Sequence, residues 1–238
     1  MSLEVKDINS GYRNIQILFD VSMNLKDKGI TVIVGPNGSG KSTLLKTIMG
    51  ITKIYSGNII YNGKNITGLP SHIVTKLGIA YLPQVNNIFS DLMVKENLLM
   101  SSYVLTKDDA KTRTLEALEG FPILKDYMNK KAGNLSGGQR QMLAMAMAFI
   151  RRPKIMLFDE PTGSLAPKIA FEVLNKIVDL RDNYSITSVL VEQNARRTLE
   201  LGDEALLLVS GRVMYEGKSR DLLNHKDFGK LYLGITES

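Results

Sequence analysis

Nine consecutive residues, Gly35-Pro36-Asn37-Gly38-Ser39-Gly40-Lys41-Ser42-Thr43, constrain this chain more than any other stretch. They follow Ile30-Thr31-Val32-Ile33-Val34, a β-branched run of the kind buried in a parallel sheet, and precede a helical pattern from Ser42 to Met49. Strand, glycine-rich turn and helix in that order fit a phosphate-binding loop. The glycines let successive backbone N–H groups turn inward on one anion, and the helix N-terminus adds the positive end of its dipole. Lys41 supplies a full charge for β- and γ-phosphates, and the Ser42 hydroxyl can ligate magnesium.

The surrounding pattern suits such a loop. Strands are expected at Leu3-Val5-Ile8, Ile17 to Leu25 and Ile79 to Leu82, and a hairpin at Gly57 to Tyr61 with its Asn62-Gly63 turn. From about Leu92 to Ile150 helix signals dominate: Val94 to Tyr103, Lys107 to Leu118 and Met142 to Ile150. Strands return at Ile155 to Phe158, Thr187 to Val191 and Ala205 to Val209, separated by helical stretches at Lys168 to Leu180 and Asn194 to Leu201. The alternation argues for an α/β fold, a mostly parallel sheet with helices on its faces.

Composition removes other chemistries. No cysteine is present, and His72 and His225 are the only histidines, so thiolate nucleophiles, disulfides and thiolate zinc sites are excluded and any metal sits among oxygen ligands. The longest stretch without Asp, Glu, Lys or Arg, Leu77 to Ser90, holds Pro83, Gln84, Asn86 and Asn87, and a spanning helix needs about 20 apolar residues. The acidic residues of Met1-Ser2-Leu3-Glu4-Val5-Lys6-Asp7 do not suit a secretion signal. A cytoplasmic protein is expected. The net charge of +6 is spread along the chain without a basic tail, so no nucleic-acid partner is expected.

Two further segments carry chemistry. Lys154-Ile155-Met156-Leu157-Phe158-Asp159-Glu160 is an apolar strand ending in two carboxylates, on the sheet edge where α/β proteins bind ligands. Asp159 can hold magnesium, and Glu160 is placed to orient and polarise the water that attacks a γ-phosphate. Leu135-Ser136-Gly137-Gly138-Gln139-Arg140-Gln141 heads a helix, with Ser136 as its N-cap and two glycines baring backbone N–H groups. It is a second anion-binding helix terminus.

The set resembles the ATP-binding cassette (ABC) family: phosphate loop, Leu-Ser-Gly-Gly-Gln signature about 95 residues later, and the Asp159-Glu160 strand about 20 residues beyond. The resemblance spans essentially the whole chain. It implies a single P-loop NTPase domain over 1–238, with a mixed, largely parallel sheet and antiparallel strands in 1–91 and 151–238, and an inserted helical subdomain over 92–150. It implies ATP and Mg2+ as cofactors. Tyr12, ahead of the first sheet strands, matches the residue that stacks on adenine, and Gln84 the glutamine that touches magnesium and the attacking water. The family acts as a head-to-tail dimer in which the signature residues Ser136, Gly137, Gly138 and Gln139 bind nucleotide, Ser136 and Gly138 of one subunit closing on the γ-phosphate held by Lys41 of the other.

Several stretches are similar to the smaller ATPase subunit of branched-chain amino-acid importers: Ser56 to Ile60, Ile66 to Pro70, Gly78 to Gln84, Leu165-Ala166-Pro167, Val191 to Ala195 and Tyr232-Leu233-Gly234. Three positions depart from the general family. Gln193 stands in place of the histidine that senses γ-phosphate, Ala166 in place of an aspartate, and Met147 in place of an arginine; the first two also occur in the branched-chain subunits. The similarity implies integral-membrane permease subunits docked near Asn86 to Lys95, a second ATPase subunit (identical or a larger relative), an external solute-binding protein, and a position on the cytoplasmic face of the membrane. The alternative is an ABC-type ATPase not coupled to transport, acting on DNA or ribosomes or as a regulatory module. DNA-repair members carry a long coiled coil between the glutamine loop and the signature, whereas Gln84 and Leu135 are only about 50 residues apart.

Overall fold

The alternation of Ile30, Val32 and Val34 against Ile33 sends side chains to two separate buried cores, one on each face of their strand. A strand apolar on both faces needs cover on both, and the rest of the fold supplies it. In the computed structural model, which describes residues 2–85 and 87–232, this strand is β3 (Ile30–Val34). The strands are β1 (Leu3–Tyr12), β2 (Ile15–Asn24), β3, β4 (Lys53–Tyr61), β5 (Lys64–Asn65), β6 (Ile79–Leu82), β7 (Ile155–Asp159), β8 (Thr187–Val191), β9 (Glu204–Val209) and β10 (Arg212–Lys218). The helices are α1 (Lys41–Ile48), α2 (Ser71–Lys76), α3 (Val94–Ser102), α4 (Lys107–Gly120), α5 (Gly137–Phe149), α6 (Pro167–Tyr184), α7 (Ala195–Leu199), α8 (Ser219–Leu223) and α9 (Phe228–Tyr232).

A six-stranded sheet runs β10-β9-β3-β8-β7-β6, parallel throughout except for the antiparallel edge strand β10. A second, antiparallel sheet runs β2-β1-β4-β5. It packs with Leu44, Leu45 and Ile48 of α1 against Ile33, Leu157, Val189 and Leu206 on one face of the large sheet. On the other face Val32, Phe158, Leu190 and Leu207 join residues of α3, α4, α5 and α6 in one continuous apolar core.

β3, β6 and β8 match the expected strands residue for residue, and Asn62 and Gly63, both at positive φ, make the expected hairpin turn. α5 starts at Gly137, directly after the expected N-cap Ser136 and five residues ahead of the apolar run at Met142, because a capping box closes its first turn: the Ser136 hydroxyl accepts from the Gln139 N–H at 3.3 Å and the Gln139 side-chain oxygen from the Ser136 N–H at 2.9 Å. Tyr12 is the last residue of β1 rather than a residue ahead of it, since the chain reverses only at Arg13, at φ 53°. β10, α2, α8 and α9 have no counterpart in the sequence reading. The three helices have five or six residues each, too few for a helical period to emerge, and β10 is an edge strand with charged, exposed positions. Asn86 and Leu233-Gly234, used above, lie outside the described residues.

Candidate active site

Because β3, β8, β7 and β6 are parallel neighbours, their C-terminal ends form one edge, and each sends a residue of interest off it. β3 runs into the phosphate loop, β7 ends in Asp159 with Glu160 next, and Gln193 and Gln84 lie two residues past β8 and β6. A cleft of about 380 Å3 there is lined by Asn37, Gly38, Gly40, Lys41, Ser42 and Thr43 of the loop, by Gln84, Glu160 and Gln193, and by Ile17.

The loop needs glycine at two of its positions for steric reasons. A Cβ on Gly35 (φ 151°) would fall 1.9 Å from the Leu208 carbonyl oxygen, and one on Gly40 (φ 102°) 2.7 Å from Leu18 Cδ2. Inside the turn, Lys41 Nζ donates to the carbonyls of Gly35 and Pro36, each at 2.9 Å. Burial lowers its pKa, with Glu160 and Asp159 pulling the other way. Ser39 Oγ is buried without a hydrogen-bond partner among the described residues, an orphaned donor that a phosphate oxygen would satisfy.

Asp159 is held at both oxygens. Ser42 Oγ donates to Oδ1 at 2.7 Å and the Tyr81 hydroxyl to Oδ2 at 2.8 Å. A hydroxyl and a carboxylate in contact are hard oxygen donors, which fits magnesium, a cation usually bound through one or two carboxylates beside substrate phosphates and water. Glu160 is also held, at one oxygen: Gln84 Nε2 donates to Oε2 at 2.9 Å and Gln193 Nε2 to the same atom at 2.7 Å. The Glu160 backbone turns through φ 50°, with its N–H on the Val191 carbonyl at 2.9 Å.

Two residues here escaped the sequence reading. Tyr81 sits in a four-residue apolar strand, and only the parallel register, which sets it beside Leu157, brings its hydroxyl to Asp159. Glu192 accepts from both the N–H and the hydroxyl of Thr162 through Oε1, at 2.9 and 2.7 Å, tying the end of β8 to the loop after Glu160. Burial pushes its pKa up, opposed by the hydrogen bonds from Thr162 and Gln193, with the Glu160 charge adding to the rise. A signal for Glu192 exists: like Asp159-Glu160, it is a carboxylate at the end of an apolar strand.

The signature turn is not part of this cleft. Ser136, Gly137 and Gly138 line a separate one of about 570 Å3 with Arg140, Leu165, Ala166 and Ile169; Gln84 borders both. Within one chain the two helix termini therefore face different openings. The glycines of the signature also have a packing role: a Cβ on Gly137 would lie 2.5 Å from Leu165 Cδ2, and one on Gly138 2.3 Å from Ile169 Cγ2. Tyr12 is 40% exposed and is not among the residues lining the phosphate cleft.

The family model for ABC transporters matches residues 18–163, which takes in the phosphate loop, the signature turn and the Asp159-Glu160 strand. The chain belongs to the ABC transporter family. It is 50% identical over 235 residues, 99% of its own length and all of the relative's, to the probable branched-chain amino acid transport ATP-binding protein LivF of Archaeoglobus fulgidus. It is 40% identical to the high-affinity branched-chain amino acid transport ATP-binding protein BraG of Pseudomonas aeruginosa, covering 98% of this chain and 99% of that one. Among solved structures, a nucleotide-free ATP-binding cassette from an ABC transporter superposes with a TM-score of 0.87 at 26% identity over the full length of both chains. A dimeric bacterial ABC transporter cassette superposes with a TM-score of 0.78 at 27% identity, covering 92% of this chain and 99% of that one. This ABC cassette is an ATPase, and among its described residues no helix is long and apolar enough to cross a membrane.

Proposed function

We propose that this ABC cassette hydrolyses ATP to drive uptake of branched-chain or other hydrophobic amino acids, at the cytoplasmic face of the membrane. The observation that carries the catalytic part is the convergence of two amides, from Gln84 and Gln193, on Glu160 Oε2 at the cleft that Lys41 lines. The solute class rests on the Archaeoglobus and Pseudomonas relatives.

In this reading the backbone from Gly35 to Thr43 wraps the phosphates, with Lys41 Nζ turning from its loop carbonyls to the β- and γ-phosphates. Tyr12, exposed at the end of β1, stacks on adenine. Ser42, Asp159 and Gln84 would hold magnesium, which when bound would offset phosphate charge. With Oε2 anchored, Glu160 uses Oε1 to orient the attacking water and accept its proton, a positioning role of the kind that dominates phosphoryl transfer. The signature turn at Ser136, Gly137 and Gly138 lines a different opening from its own chain's phosphate cleft, which supports a head-to-tail dimer where it and Gln139 close on the γ-phosphate of a second ATPase subunit. Residues 92–150 act as a helical subdomain against the 1–91 and 151–238 core, and the permease docks at their junction near residues 87–95, where Phe89 is exposed. An external solute-binding protein delivers the amino acid.

The test is purification of the tagged chain from its native membranes. Two integral-membrane subunits and an ATPase partner are expected; soluble nucleoprotein partners alone would contradict the reading.

A further inference from the structure

The short helix α9 brings Tyr232 onto the phosphate loop from the far end of the chain. Its hydroxyl donates to the Gly35 carbonyl at 3.1 Å, 197 residues away in sequence. Phe228, Leu231 and Tyr232 pack on the core shared by the large sheet and its helices, and the Phe228 and Tyr232 rings lie 5.7 Å apart. The Gly35 carbonyl is one of the two that hold Lys41 Nζ. The other, of Pro36, also has a second donor, the Ser39 N–H at 3.2 Å.

Each carbonyl that Lys41 must leave in order to reach phosphate is thus backed by a donor that does not leave. A buried carbonyl stripped of its last partner is costly, because its lost hydrogen bond is not replaced by water, and Gly35 is buried. We propose that Tyr232 is a positioning residue for ATP: it keeps the Gly35 carbonyl satisfied when Lys41 swings to the β- and γ-phosphates, and so lowers the cost of nucleotide binding. Burial, aided by the Glu160 charge, pushes the Tyr232 phenol up, so the hydroxyl remains a donor at neutral pH. The inference rests on the reading of Lys41 as the phosphate ligand.

The test is fluorescent-nucleotide binding to the full chain in four forms: unaltered, Tyr232→Phe, Lys41→Ala and the double variant, with AMP as a competitor lacking the β-phosphate. Tyr232→Phe is expected to weaken ATP and ADP about tenfold, the equivalent of roughly 1.4 kcal/mol, to raise KM without a matching fall in kcat, and to leave AMP affinity unchanged. In the Lys41→Ala background the same change should add nothing. Unchanged ATP affinity in Tyr232→Phe, an equal loss for AMP, or a tenfold loss that persists without Lys41 would each overturn the inference while leaving the loop assignment standing. Full ATP affinity in Lys41→Ala would remove both.

Discussion

Gln193 donates its side-chain N–H to Glu160 Oε2 at 2.7 Å, from the position where most ABC cassettes carry histidine. An imidazole would titrate near neutrality; an amide does not. Gln84 reaches the same oxygen from the opposite neighbouring strand, so Glu160 is gripped by groups whose donor strength does not change with pH. Among the described residues no hydrogen bond to Oε1 accompanies them, which leaves that atom for water.

Tyr81 is expected to govern magnesium rather than chemistry. Tyr81→Phe removes the donor to Asp159 Oδ2 and leaves Ser42 on Oδ1. Partners that orient a metal ligand typically matter by about tenfold or more in affinity. The magnesium concentration giving half-maximal nucleotide binding should therefore rise about tenfold, with binding restored at saturating magnesium. An unchanged magnesium titration would show that Tyr81 does not orient Asp159.

Glu192 should make stability fall with rising pH. Its folded pKa is raised, chiefly by burial, above the value in the unfolded chain. Between the two values the folded state binds more protons, so its contribution is full below the ordinary carboxylate range and is lost as pH climbs through the raised pKa. In Glu192→Gln the amide oxygen can still accept both Thr162 donors. Thermal melts should show the variant gaining on the unaltered chain as pH rises from about 4 to 8. A constant difference across that range would contradict the assignment.

Gly138 tests the packing account of the signature. Gly138→Ala places a methyl group 2.3 Å from Cγ2 of Ile169, a β-branched side chain with little rotamer freedom. Overpacking of this kind costs about 1–3 kcal/mol, measurable by denaturant melting. Adding Ile169→Ala should recover part of the loss, and strictly additive effects would rule out the contact as the cause.

The parallel strands and the phosphate loop were legible because their signals are local: an apolar run fully buried at β3, β7 and β8, then a turn whose residue types are dictated by phosphate. Glu160 could be singled out as a carboxylate ending an apolar strand, and Gln84 and Gln193 by resemblance, but their meeting on one oxygen depends on strand order, which no single stretch encodes. Tyr81 and Tyr232 were hidden for the same reason; their partners are 78 and 197 residues away. The signature glycines looked like anion-binding positions, and their contacts with Leu165 and Ile169 emerge only once α5 and α6 are packed.

The central claim is that Glu160 activates the water. Glu160→Gln keeps a side-chain oxygen that can accept from Gln84 and Gln193, but removes the carboxylate. Steady-state phosphate release with magnesium and ATP should fall at least about hundredfold, while ATP still binds and an ATP-dependent dimer accumulates in sedimentation. Phosphate release at the unaltered rate would contradict the account.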